Sequence, residues 1–138
     1  MNYHFCTIST SSHLYKVYAL AESLKEQYPG FTLHVLVVDS DTEQQFDNCR
    51  FSTLAEVSKS ATAKEIARKY QGNKDKLRWA LKPVFMHYLL QQDETGRLIY
   101  LDNDLFFFND YRFLFELLSK HSFILTPHWC NSKKVHPE

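Results

Sequence analysis

Hydrophobic and polar positions alternate between two periods along this chain, and the changes of period mark its elements. "YHFCTIST" reads as a short strand ending in small hydroxyl residues. In "SSHLYKVYALAESLKEQYPG", Leu14, Val17, Tyr18, Ala21 and Leu24 recur at helical spacing. Ser11 or Ser12 can cap that helix, and Pro29 and Gly30 stop it. "FTLHVLVVDSD" is a second strand, apolar almost throughout and ending in acid. Strand, helix and strand with short joints predict a right-handed crossover, so the first two strands are expected to be parallel.

After a polar stretch at residues 40–50, "FSTLAEV" suggests a short third strand and "TAKEIARKYQG" a surface helix ending at Gly72. "KLRWALKPVFMHYLLQQ" has helical spacing in Leu77, Leu81, Val84, Phe85, Tyr88 and Leu89, with a kink or restart expected at Pro83. "RLIYLDND" reads as a strand buried on both faces, "DYRFLFELLSKH" as an amphipathic helix, and "SFILTPHW" as a further buried strand. The tail "CNSKKVHPE" has no period and reads as coil. No repeat, low-complexity tract or linker divides the chain. The pattern predicts one α/β domain built on a largely parallel sheet. Sheets of that kind bind ligands outside the carboxyl ends of their strands. "TIST", "VVDSD", "YLDND" and "TPHW" all bring polar groups to that edge.

Composition narrows the setting. The 138 residues are 44% hydrophobic and 15% aromatic, enough for a packed core. Sixteen basic and sixteen acidic residues cancel. No basic field therefore exists to hold nucleic acid or an anionic membrane. Three cysteines (Cys6, Cys49 and Cys130) without C-x-x-C spacing give neither a disulfide framework nor a zinc knuckle. No segment approaches the roughly 20 apolar residues of a spanning helix. A reduced, cytoplasmic setting is the expectation.

The candidate chemistry lies in "RLIYLDNDLFFFND", where Asp102 and Asp104 interrupt the longest apolar run. An extended backbone turns residues i and i+2 to one side, so both carboxylates would face one point and Asn103 would face away. Like charges held so close repel unless a cation sits between or beside them. A hard divalent ion, Mn²⁺ or Mg²⁺, suits two carboxylates, because such ions keep waters and bridge to substrate phosphates. The motif alone is weak, since eight aspartates in 138 residues give about 0.5 D-x-D pairs by chance. A second pair, Asp39 and Asp41, runs into polar sequence and equally suits a solvated loop. Asp102 and Asp104 are followed at once by apolar "LFFF".

Taken in order, the strand–helix–strand opening, the "ALKP" helix, the strand ending in D-x-D, the helix after it and the "TPH" segment resemble a nucleotide-diphospho-sugar glycosyltransferase of the GT-A fold. More narrowly, the series resembles the bacterial group related to glycosyltransferase family 8, over nearly all of residues 3–129. The resemblance implies a nucleotide-sugar donor, UDP-linked by preference, and an acceptor hydroxyl on a glycan, lipid or protein. It implies donor contacts at Thr7, Ser9, Asp39, Lys82, Asp102 and Asn103. It further implies a metal site at Asp102 and Asp104, with Asp104 the more direct ligand. Each of these residues also has a plainer use: Thr7 and Ser9 as turn residues, Lys82 as a solvated helix lysine, and His128 and Trp129 as a core edge. His87 reads as structural, and His136 lies too near the end to be assigned as a ligand.

Enzymes of this fold usually run well past two hundred residues, so the chain reads as the donor-binding part of a single GT-A domain, with the acceptor part outside it. Apolar surface left open by that division is expected to favour self-association. Two other functions fit D-x-D after a strand. One is a phosphotransferase of the haloacid-dehalogenase type, whose motif continues with Thr or Val where this chain has Phe106. The other is a non-catalytic nucleotide-binding module. No residue reads as a nucleophile or a general base.

Overall fold

The computed structural model describes residues 2–41, 43–92 and 94–127. Its centre is two strands, β1 (Tyr3–Ser9) and β2 (Phe31–Val37), in which every residue but Tyr3 is buried. Strands covered on both faces read as nearly continuous apolar runs, which is the pattern both segments carry. They pair in parallel from Tyr3 opposite Phe31 to Ser9 opposite Val37. β3 (Cys49–Thr53) lies outside β2 and β4 (Leu98–Tyr100) outside β1, also parallel, giving the order β3-β2-β1-β4.

Period-two alternation divides the side chains between two cores. On one face Phe5, Leu33, Val35 and Val37 meet α1 (Leu14–Gln27) through Val17, Leu20 and Leu24, and α5 (Arg112–Lys120) through Phe115. Tyr111 is fully buried there, with its edge on Phe5 at 5.0 Å between ring centres. Its hydroxyl donates to the Tyr28 carbonyl at 2.6 Å, which satisfies that buried phenol. On the other face Cys6, Ile8, Leu36 and Leu98 meet α4 (Lys74–Leu90). That helix presents Leu77, Leu81, Phe85 and Leu89 every fourth residue, one stripe along its length.

Four local expectations differ from the structure. Ser11 and Ser12 do not cap α1; they lie in a single 3-10 turn (Ser11–His13) that leads into it, and Ser11 is bonded elsewhere. "FSTLAEV" divides, because Thr53 ends β3 and caps the short α2 (Leu54–Val57) through a reciprocal bond with Glu56. The expected surface helix is α3 (Ala61–Lys69), and α4 continues through Pro83 as one element. Pro83 is on the exposed side, so the carbonyl it leaves without an N–H partner can bond to water. The strand expected at "SFILTPHW" is not formed in its described part. Phe123 and Leu125 stand 73% and 80% exposed, and no neighbouring strand pairs with them. An apolar run becomes a strand only with a partner for its backbone. His128, Trp129, Cys130 and His136 lie outside the described residues.

No helix among the described residues is long and apolar enough to cross a membrane.

Across β1 and β2, His4 Nδ1 and His34 Nε2 lie 3.1 Å apart, both rings buried. Burial, then the charges of His4 and Arg50, hold the His34 imidazole down at about 4 against the opposing charge of Glu94. Burial and Arg50 lower His4 in the same direction. The unfolded chain takes up these protons near pH 6.5, whereas the folded chain refuses them. Stability is therefore full above that pH and falls as the solution is acidified towards pH 4. Urea unfolding at pH 5 is expected to show about 2 kcal/mol less stability than at pH 7 from His34 alone. His34→Gln is expected to flatten that slope, and equal stability at both pH values in the natural chain would refute this account.

Candidate functional site at the carboxyl edge of the sheet

Because all four strands are parallel, the ends of β1, β2 and β4 emerge on one side. The backbone N–H of Val38 donates to Ser9 O at 3.1 Å, which carries the β1–β2 pairing one step further and sets Asp39 beside Ser11. Asp39 Oδ1 accepts from Ser11 N at 2.7 Å, and Oδ2 accepts from Ser11 Oγ at 3.2 Å and Lys74 Nζ at 2.8 Å. Burial pushes the Asp39 carboxyl up. The hydrogen bonds from Lys74 and Ser11, with the Lys74 charge, outweigh it and hold the carboxyl below its ordinary value. Asp39 is thus a fixed anion.

At the other strand end, Leu101 N donates to Cys6 O at 2.9 Å, one residue beyond β4. The chain then turns, closed by a long 3.3 Å bond from Leu105 N to Asp102 O. The turn replaces the expected strand extension, yet the expected alternation survives it. Leu101 and Asn103 are buried, while Asp102 and Asp104 are exposed. Asn103 Nδ2 donates inward to Ser9 Oγ at 3.2 Å and to Ile8 O at 3.4 Å, fastening the acidic turn to the end of β1. Its amide is spent on the scaffold.

Lys82 reaches Asp102 Oδ1 at 2.8 Å, with its ammonium 4.8 Å from the centre of the Tyr100 ring. Lys74 and Lys82 are eight residues apart on α4, a little over two turns and about 12 Å along the axis. One helix therefore places a cation on each strand-end acid. Asp104 has no hydrogen-bond or ion-pair partner among the described residues. Asp41 is exposed. It helps line a cavity of about 430 Å³ with Asp39, Leu54, Ala55, Ser58 and Ala67, in which the buried Ser58 Oγ lacks a partner. A larger cavity of about 520 Å³ lies beside His34, Arg50, Tyr88 and Glu94, at the start of β3 and the approach to β4. It contains none of the strand-end acids, whereas the smaller one is lined by Asp39 and Asp41.

Asp39, Lys82, Asp102 and Asp104 thus share this edge. Thr7 and Ser9 do not reach its surface, because β1 extends to Ser9 and both side chains are fully buried. Thr7 Oγ1 is left without a partner, and Ser9 Oγ donates to Thr10 O at 3.0 Å. Ser11 and Lys74 were not legible as site residues, because their tie to Asp39 depends on how two distant segments meet. Among the described residues no group of three or more His, Cys, Asp or Glu is placed to hold a metal. Two exposed carboxylates at a strand end still fit Mn²⁺ or Mg²⁺, which take one or two protein oxygens and complete their shell with water and phosphate. Cys6 and Cys49 offer nothing comparable: burial pushes both thiols up, Cys49 to about 12, so neither ionises near neutral pH.

No family model matches the chain. Two proteins of Bacillus subtilis (strain 168) are similar in sequence. Uncharacterized protein YfnF is 30% identical over 115 residues, 81% of this chain and 38% of that protein. Uncharacterized protein YfnD is 28% identical over 129 residues, 91% of this chain and 42% of that protein. The chain thus spans less than half the length of each. Among solved structures, the apo form of mouse xyloside xylosyltransferase 1 matches with a TM-score of 0.52 and 17% identity, over 87% of this chain and 49% of that one. The fold is of the GT-A, Rossmann-like α/β type: a parallel sheet of four strands flanked by helices.

Asn103→Ala is expected to lower stability by about 1 kcal/mol, since it removes the buried hydrogen bond from Asn103 Nδ2 to Ser9 Oγ. Hydrogen exchange at residues 102–105 should quicken more than in β1 or β2. Unchanged exchange at the turn would show that Asn103 does not hold it.

Proposed function

We propose that the chain is the donor-binding part of a metal-dependent glycosyltransferase. It would pass a sugar from a nucleotide-diphosphate sugar, UDP-linked by preference, to an acceptor hydroxyl on a glycan, lipid or protein. The single observation that carries this reading is the delivery of Asp39, Asp102 and Asp104 to one edge of a parallel sheet, with a cavity beside Asp39. The fold it shares with a xylosyltransferase supports the reading. The relation to family 8, the extent of the domain beyond this chain and a bacterial, cytoplasmic setting belong to the same proposal.

Each residue then has a task its position suits. Asp39, held ionised and oriented by Ser11, would accept hydrogen bonds from the base or ribose in the adjoining cavity. Asp102 and Asp104 would hold Mn²⁺ or Mg²⁺, which when bound supplies positive charge to the departing diphosphate. Lys82 would add a second positive group there, stabilising charge that grows as the sugar carbon gains oxocarbenium character. Asn103 would keep the acidic turn in register with the end of β1.

Thermal melting with and without Mn²⁺ and UDP tests the proposal. The natural chain is expected to gain several degrees only when both are present, because ligand at about 100 times its Kd adds about 2.7 kcal/mol. Asp104→Asn keeps the shape and removes one charge, so it should fold normally and lose that gain. Asp41→Asn should keep most of it. Full Mn²⁺–UDP stabilisation of Asp104→Asn would contradict the metal site.

A further inference from the structure

Asp102 and Asp104 were expected to need a cation beside them, and one is already there. Lys82 Nζ lies 2.8 Å from Asp102 Oδ1, while Asp104 has no partner among the described residues. We propose that Lys82 is a built-in counter-ion that a divalent cation must displace from Asp102, freeing its ammonium for the diphosphate as the metal arrives. This deepens the metal-site reading above and rests on it.

The surrounding structure fits a side chain that moves on a fixed base. Leu81 and Phe85, fully buried on α4, clamp the helix against the sheet, and Pro83 fixes the backbone immediately after Lys82. Beyond that anchor, the lysine has a flexible four-carbon stem. Its ammonium rests near the ring of Tyr100, the last residue of β4, as well as on Asp102. The ring offers a weak second attraction that steadies the charge without binding it tightly. The pair is partly open, with the lysine and aspartate side chains 34% and 62% exposed, so the contact is weak enough to be exchanged. A dication on either oxygen of Asp102 would lie within a few ångströms of the ammonium. The two cannot share the carboxylate without strong repulsion. A diphosphate approaching from the open side would draw the released ammonium towards itself.

Mn²⁺ affinity, read from the electron spin resonance signal of the free ion at low ionic strength, tests this apart from any activity. Lys82→Met is expected to bind Mn²⁺ at least about threefold more tightly than the natural chain, and Lys82→Arg to stay near the natural value. With Mn²⁺ saturating, UDP should bind Lys82→Met at least about tenfold more weakly, having lost a charge-assisted hydrogen bond. High salt should narrow the Mn²⁺ difference. If Asp104→Asn abolishes Mn²⁺ binding while Lys82→Met leaves it unchanged or weaker, the counter-ion proposal fails and the metal site stands. If neither the natural chain nor Lys82→Met binds Mn²⁺, both fall.

Discussion

The parallel pairing of β1 with β2 is the constraint on which the rest depends. Seven consecutive pairs, from Tyr3 with Phe31 to Ser9 with Val37, bury both strands on both faces. A slip of β1 by one residue against β2 would send Phe5 to the α4 side and Cys6 to the α1 side. Holding that register also fixes which strand ends face the same way. Asp39 follows the last pair by two residues, and the turn bearing Asp102 is tied back to the same end of β1 through Asn103. The acids come to one edge because the parallel core fixes where the strands end.

α4 makes the second connection. Its apolar stripe packs on the sheet, and the same helix carries Lys74 to Asp39 and Lys82 to Asp102. Packing and charge are therefore coupled through one element. Moving Leu81 or Phe85 would shift Lys82 relative to the acidic turn as well as loosen the core. The apolar side chains thus have a part in the electrostatics of the crevice.

Much of this was legible in the residues. β1, β2 and α1 follow from continuous apolar runs and clear helical spacing, and the parallel sheet follows from their order. The outward turn of Asp102 and Asp104 around a buried Asn103 also follows from alternation, although the backbone there is a turn. Other features depend on distances the sequence does not encode locally. Lys74 finds Asp39 across 35 residues, and Ser11 finds it across 28. Thr7 and Ser9 do lie at the end of β1 as expected, but both side chains are fully buried, and which residues of a strand end are covered depends on the elements packed around it. "SFILTP" has the composition of a strand, but composition supplies no partner. Pro83 looked like a kink or restart; the helix does not restart there, and its exposed side makes the proline tolerable.

The central claim is that the strand-end acids form one site for a divalent cation and a nucleotide diphosphate. Paramagnetic broadening of backbone amide signals in the nitrogen-15-labelled chain, on adding Mn²⁺ with UDP, tests it most directly. The account predicts that the signals of residues 102–104 vanish first, followed by those around Ser11 and Asp39, while Arg50 and residues 88–92 stay sharp. Broadening centred on the larger cavity, at His34, Arg50 and Glu94, would contradict it.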